Sequence, residues 1–359
     1  MKNISILLLL IALITGCQPS IVKVEPSNSE LSYVGRINFE NPNSPELYWS
    51  ASSVSMNFKG CCISATLTDQ NGENYYNVVI DGQAEYPIKL DKGAKTYVLA
   101  DSLDSSKAHS ITLVKRNEWP TGSTQFNGFI IENGKVLKAS PKKEKFIEFY
   151  GNSITAGYAI EDNTGGDSPD STFTNNYKTY AALTARHFNA DIHCTVRSGI
   201  GIQVSWDRPI MPEIYNRLNP LDSLSIWDFS QKIPNLVVIN LMQNDSWLVK
   251  LPNNDQFKYR FGNEAPSPVK IIDAYAKFVS SIREVYPNTP IVCALGSMSA
   301  TEEGSPWPGY VQQAVDSLDD SNIYTHVFPY INKSGHPRVD DNKKMAASLI
   351  SFIDENIKW

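Results

Sequence analysis

The sequence predicts a two-domain protein: an all-β front domain followed by a three-layer α/β/α domain built on a parallel sheet. Three observations carry this. The chain has 359 residues, more than a usual single domain. From residue 33 to about 139, short alternating or apolar runs are broken by turn signals, with hardly a helical period among them. After Lys145, apolar strand-like runs alternate with amphipathic stretches, the pattern of a parallel sheet covered on both faces. Apolar residues make up 42% and charged residues 19%, so a core can be filled. The net charge of −6, with no basic block, argues against nucleic acid or an anionic membrane surface as partner.

The first residues bear on the compartment. Lys2 precedes an apolar stretch from Ile4 to Ile14, too short for a mature membrane span, which fits a secretory signal over residues 1–16. Ile14-Thr15-Gly16-Cys17 resembles a bacterial lipobox, implying cleavage before Cys17 and lipid attachment to its sulfur. Residues 17–32, polar with Pro19 and Pro26, then read as a tether from the membrane. An exported lipoprotein of the outer membrane, facing the periplasm or the outside, is the expectation. Four further cysteines remain. Cys61 and Cys62 are adjacent in an expected strand, where side chains point to opposite faces, making them poor mutual partners. Cys194 and Cys293 lie in apolar runs and read as buried thiols. No cysteine or histidine spacing suggests a metal site.

The β domain, expected over 33–140, contains SVSMNF (53–58), ISATLT (63–68), YYNVVID (75–81), KTYVLA (95–100), HSITLVKR (109–116) and FNGFIIENGKVL (126–137). Its breaks fall at Asn-Gly, Asp-Gly and Lys-Gly pairs. The second domain, 145–359, has expected strands at 146–150, 190–196, 235–241, 290–295 and 322–328. Helices are expected at 177–188, 269–285, 308–318 and 341–356.

Ligands of such a sheet bind off the C-terminal ends of its strands, which sorts the polar residues. Ser153 follows the first strand, in FIEFYGNSITAGY; Gly199 follows the second, in SGIGI. Asn244 follows the third, in VVINLMQND, and His336 lies in the loop after the last. A serine needs a base to become a nucleophile, and imidazole supplies one near neutrality. A tetrahedral oxyanion needs donors, which the N–H groups of Ser153 and Gly199 and the Asn244 amide can provide. Of five histidines only His336 falls in a suitable loop; His109, His187, His193 and His326 read as structural or surface residues. Tyr158, Trp206, Trp247 and Trp307 are candidate sugar platforms, Trp247 foremost as it lies three residues beyond Asn244.

With NGFIIENGKVL, FIEFYGNSITAGY, NNYKTYAALTAR, SGIGI, VVINLMQND and GHPRVDDNKKMA in this order, residues 33–355 resemble carbohydrate esterase family 2 of the SGNH (GDSL-type) hydrolases. The resemblance implies a jelly-roll-like sandwich ahead of an SGNH-like α/β/α hydrolase. It implies Ser153 as nucleophile, Gly199 and Asn244 as oxyanion donors and His336 as base, without metal or organic cofactor. The reaction implied is removal of acetyl groups from xylan- or mannan-type polysaccharide or oligosaccharide. Three positions depart from the family pattern: Asn152 stands for Asp, Met242 for Gly, and Lys333 where many SGNH enzymes carry an Asp. The last departure suggests a Ser153–His336 dyad, with a backbone carbonyl orienting the imidazole. Two other readings are a non-catalytic glycan-binding lipoprotein with a decayed site, and an SGNH esterase or lipase acting on another acyl ester.

Overall fold

The computed structural model describes residues 20–331 and 334–359. The expected secretory signal over 1–16, Cys17 and Lys333 lie outside them.

The front domain consists of two antiparallel sheets packed face to face. In the first the strand order is 37–38, 46–47, 124–132, 62–69 and 93–100; in the second it is 135–136, 53–59, 109–115, 75–80 and 84–89. Strands 53–59 and 62–69 alternate strictly between buried and half-exposed positions. That alternation sends Phe58, Ile63, Leu67, Leu113, Phe126 and Ile131 into one apolar core. The tether expectation does not survive beyond residue 20. Ile21–Val24 pairs with strand 124–132 and Ser32–Val34 with strand 53–59, so both belong to the sandwich. Four residues of IVKV were too short a run to read as a strand beside Pro19 and Pro26, yet the open edge of 124–132 gives them a partner. Cys61 also departs from expectation. It sits in the bend before strand 62–69 rather than in a strand, and its Sγ lies 2.9 Å from that of Cys62.

The second domain is a five-stranded parallel sheet in the order 190–196, 145–151, 236–240, 291–295, 323–327. Helices Tyr180–His187 and Val339–Asn356 cover one face; Pro268–Val285 and Trp307–Asp316 cover the other. The three central strands are buried on both sides, which is why they are continuous apolar runs, while the edge strand 323–327 is mostly half-exposed. The direction of winding reverses beside strand 145–151, creating a crevice at the C-terminal ends of its neighbours.

The domains share a buried ion pair. Arg36, from the sandwich, donates to Glu148 of the central strand at 2.8 Å, to the Tyr150 hydroxyl at 3.0 Å, and to the carbonyls of Tyr215 and Arg217. Tyr286 donates to the other Glu148 oxygen at 2.6 Å. Both charged side chains are almost wholly buried. Arg36→Met is therefore expected to destabilise the protein by about 3–5 kcal/mol, because it strands a buried carboxylate. Urea unfolding of that variant, beside Arg36→Met/Glu148→Gln, checks this: the double variant recovers much of the loss.

Candidate active site

Strand 145–151 ends at Gly151, where a Cβ would lie only 2.1 Å from the Thr155 hydroxyl, so the corner closes on a residue without a side chain. Asn152 is extended, and its Oδ1 accepts the Ile154 N–H at 3.0 Å, capping the short helix Ser153–Ala156. Gly157 ends that helix in the left-handed conformation. The capping oxygen is one that Asn shares with Asp, so the substitution at 152 leaves the corner intact. Ser153 is thus the first helical residue, its hydroxyl at the sheet edge.

His336 reaches it from the far end of the chain. The imidazole Nε2 lies 2.8 Å from Ser153 Oγ. Nδ1 lies 2.7 Å from Oδ2 of Asp167, and the His336 backbone N–H donates to both oxygens of the same carboxylate at 3.0 and 3.1 Å. A carboxylate accepts only, so Nδ1 carries the proton and Nε2 is left to accept from Ser153. The expected backbone carbonyl is therefore replaced by a carboxylate, and the expected pair of residues is a chain of three. Asp167 is held in turn by Arg338, whose Nη1 donates to it at 2.9 Å and to the Ala159 carbonyl at 2.8 Å. The hydrogen bond from His336, aided by Arg338, keeps the Asp167 carboxyl well below the usual carboxylate range. Tyr158 packs edge-on to the imidazole, ring centres 5.0 Å apart.

Gly199 follows the second strand with φ +78°, and the pairing of Val196 with Gly151 and the Arg197 N–H to Gly151 carbonyl bond bring its turn off the sheet next to the Ser153 corner. Asn244, in helix Gln243–Leu248 after the third strand, has its amide fixed at both ends. Oδ1 accepts from the Trp206 indole at 3.1 Å, and Nδ2 donates to the Ile200 carbonyl at 2.8 Å. One Nδ2–H remains for an oxyanion. The neighbouring Asp245 is buried and accepts the N–H groups of Ile202 and Gln203, fixing the loop beyond Gly199. Burial pushes its carboxyl upward against those bonds.

Met242 adopts φ +77° and caps this helix in the left-handed region, where the glycine expected from the family resemblance would sit without strain. Its side chain is fully buried in the core. Met242→Gly relieves strain of about 1 kcal/mol but removes a packed side chain worth about 2–5 kcal/mol. A net loss of about 1–4 kcal/mol in denaturant unfolding is expected.

The aromatic candidates separate. Trp307 is 2% exposed and belongs to the core under helix 307–316, so it offers no platform; the reading by loop position overlooked that this tryptophan starts an apolar helix face. Trp247 is half-buried, its indole donating to Ser299 at 2.7 Å in the loop after the fourth strand. Tyr158 lies against His336. Trp206, 45% exposed, covers Gly199 and bonds Asn244, and so is the indole next to the oxyanion donors. Of the other histidines, His109 bonds Asp81 in the sandwich, while burial pushes the imidazoles of His193 and His326 below the usual histidine range. Among the described residues no group of three or more His, Cys, Asp or Glu is placed to hold a metal ion.

At the domain junction, on the side of Tyr158, a cleft of about 240 Å³ opens, lined by Asn117, Glu118, Tyr158, Arg197 and Ser198 among others; Ser153 and His336 are not part of its lining. Loop reasoning missed Asp167 and Glu118. Asp167 lies in an irregular stretch with no period or motif, and Glu118 in the other domain.

Comparison with known proteins places these features in context. The profile described as Carbohydrate esterase 2 N-terminal matches residues 33–141. A cellulase/esterase of Acetivibrio thermocellus is 32% identical over 351 residues, 93% of this chain, which spans 40% of that relative's length. An acetylxylan esterase / glucomannan deacetylase of Cellvibrio japonicus is 27% identical over 338 residues, 89% of each. The solved structure of a family two carbohydrate esterase from Clostridium thermocellum, in complex with cellohexaose, superposes with a TM-score of 0.80 at 31% identity, covering 90% of this chain and 98% of that one. A family two esterase from Cellvibrio japonicus, 21% identical with a TM-score of 0.82, shares the two-domain fold over 94% of this chain and 98% of its own.

Proposed function

The chain belongs to carbohydrate esterase family 2, and from that premise we propose that it is a serine esterase removing acetyl groups from polysaccharide or oligosaccharide of the xylan or mannan type. The observation carrying this is the 2.8 Å contact between Ser153 Oγ and His336 Nε2 at the C-terminal edge of the sheet. In the mechanism Ser153 Oγ attacks the acetyl carbonyl while its proton passes to Nε2. Asp167 stabilises the imidazolium so formed, and the N–H groups of Ser153 and Gly199 with the Asn244 amide receive the oxyanion. Collapse expels the sugar hydroxyl, which takes the proton back from His336. Water, activated by the same imidazole, then releases acetate and restores Ser153. Trp206 and Tyr158 flank this point and supply faces for sugar rings.

A connected Ser–His–Asp chain speaks for turnover rather than for a purely glycan-binding protein, since binding needs no such relay. The test is acetate release from acetylated xylan, acetylated glucomannan and per-acetylated monosaccharides, alongside 4-nitrophenyl esters of increasing acyl length. Release from the acetylated glycans, with the acetate preferred among the nitrophenyl esters, is expected. A preference for long acyl chains would move the substrate to lipids, and no turnover would leave only binding.

We further propose that Cys17 carries a lipid anchor on an exported protein of the outer membrane. The sandwich begins at Ile21, four positions later, so the tether is about 14 Å at full extension. Metabolic labelling with a fatty acid, abolished by Cys17→Ser, is the expected outcome.

A further inference from the structure

Four consecutive residues of the sandwich, Arg116 to Trp119, reach across the domain junction to the two loops that form the active site. Arg116 donates to Glu161 and to the carbonyls of Thr172 and Thr174, and Asn117 donates to the Ser171 carbonyl at 2.8 Å. These contacts grip the 161–176 segment that carries Asp167. Glu118 and Trp119 grip the other loop. Both oxygens of the Glu118 carboxylate are used: one accepts the Ser198 backbone N–H, the other the Ser198 hydroxyl at 2.5 Å. The Trp119 ring lies under the Arg197 guanidinium, 5.1 Å from its centre. Glu118 is 8% exposed. It is braced by Thr121, whose Oγ1 donates to its carbonyl at 2.7 Å, and by the buried Lys115, whose ammonium donates to the Asn117 carbonyl at 3.3 Å.

Ser198 immediately precedes Gly199. Within its own domain the turn is held by the Ile200 N–H to Arg197 carbonyl bond of 3.3 Å and, on the far side of Gly199, by the Trp206 N–H to the Gly199 carbonyl at 2.9 Å, whereas the Ser198 N–H and hydroxyl bond Glu118. The peptide between Ser198 and Gly199 carries the donor N–H of Gly199, and a glycine at φ +78° has no side chain to restrain it. A buried carboxylate that binds Ser198 at two points supplies the restraint from outside. We propose that Glu118, contributed by the β domain, is a positioning residue that keeps the Gly199 N–H aimed at the oxyanion, so that the catalytic centre is completed by the sandwich. This rests on the esterase reading above. The β domain is then part of the active-site framework and not merely a brace beside it.

An oxyanion donor kept in place contributes to the transition state and little to ground-state binding. Kinetics of the full chain on 4-nitrophenyl acetate and acetylated xylan, with thermal melts, test the proposal in Glu118→Ala, Glu118→Gln and Ser198→Ala. Wild-type turnover is measured first; its absence would remove the esterase reading itself, before any variant is compared. Glu118→Ala is expected to lower kcat by about 10- to 100-fold with KM within about twofold, less than the loss of a whole donor. Glu118→Gln keeps an oxygen for the Ser198 N–H and offers an N–H to the Ser198 hydroxyl, so it should remain within about fivefold of wild type. A folded Glu118→Ala enzyme with wild-type kcat would overturn the proposal. So would a rise in KM at constant kcat, which would mark a substrate contact. Should Glu118→Ala fail to fold, the other two variants decide. A several-fold drop in kcat for Ser198→Ala with KM held supports the role, and wild-type kcat in both Ser198→Ala and Glu118→Gln refutes it.

Discussion

Ser153→Ala is expected to lower acetyl-ester hydrolysis by about 10⁴-fold or more, leaving only what binding and the oxyanion donors achieve without a nucleophile. The substitution removes one oxygen from a side chain that is 7% exposed, and the corner's own bonds, from Asn152 to Ile154 and along the short helix, do not use that oxygen. The melting temperature should therefore stay near that of wild type, so that lost activity is separated from lost fold. His336→Ala should fall nearly as far, and the double variant little further, because the two groups act as one unit. Steady-state rates on 4-nitrophenyl acetate with matched thermal melts measure all three. Retained turnover in folded Ser153→Ala would place the chemistry elsewhere.

The parts of this arrangement that were legible in the sequence are those carried by periodicity and by loop position. The strands give largely apolar runs of the right length, the central three fully buried, and the rule that chemistry lies past their C-terminal ends singles out Ser153, Gly199, Asn244 and His336. The structure puts these residues on one edge. What stayed hidden had no periodic signal. Asp167 lies in a stretch of Gly, Ser, Asp and Pro where any acidic residue looks like ordinary turn chemistry, and its contact with His336 spans 169 positions. Glu118 was masked differently. It is one carboxylate in a domain that reads as a separate unit, and only the docking of Arg116–Trp119 onto the hydrolase brings it to Ser198. Trp307 shows the opposite error, since loop position suggested exposure while the apolar face of helix 307–316 draws the ring into the core. Strand 21–24 was lost because four residues form a strand only when another strand offers a free edge.

The contact between Asp167 and His336 makes a second large effect expected. Asp167→Asn should reduce kcat by about 10²- to 10⁴-fold with a smaller change in KM. The carboxylate does two things that a carboxamide does not. It forces the imidazole proton onto Nδ1, leaving Nε2 free to accept from Ser153, and its charge stabilises the imidazolium that forms as Ser153 attacks. An amide can turn its NH₂ toward Nδ1 and so select the tautomer that donates from Nε2, which opposes catalysis. The same substitution leaves Arg338 facing a neutral partner, so a matched Arg338→Met variant separates the loss of charge from the loss of loop order. Acid titration of stability gives an independent readout. Because the folded-state carboxyl of Asp167 is more acidic than in the unfolded chain, its stabilisation is complete above the ordinary carboxylate value of about 3.9 and is lost as pH falls through the folded-state value. Asp167→Asn should therefore be less stable than wild type at neutral pH and lose less of its remaining stability in acid. A variant within about threefold of wild-type kcat would mean that His336 needs no carboxylate for the reaction, and that the two-residue mechanism suffices.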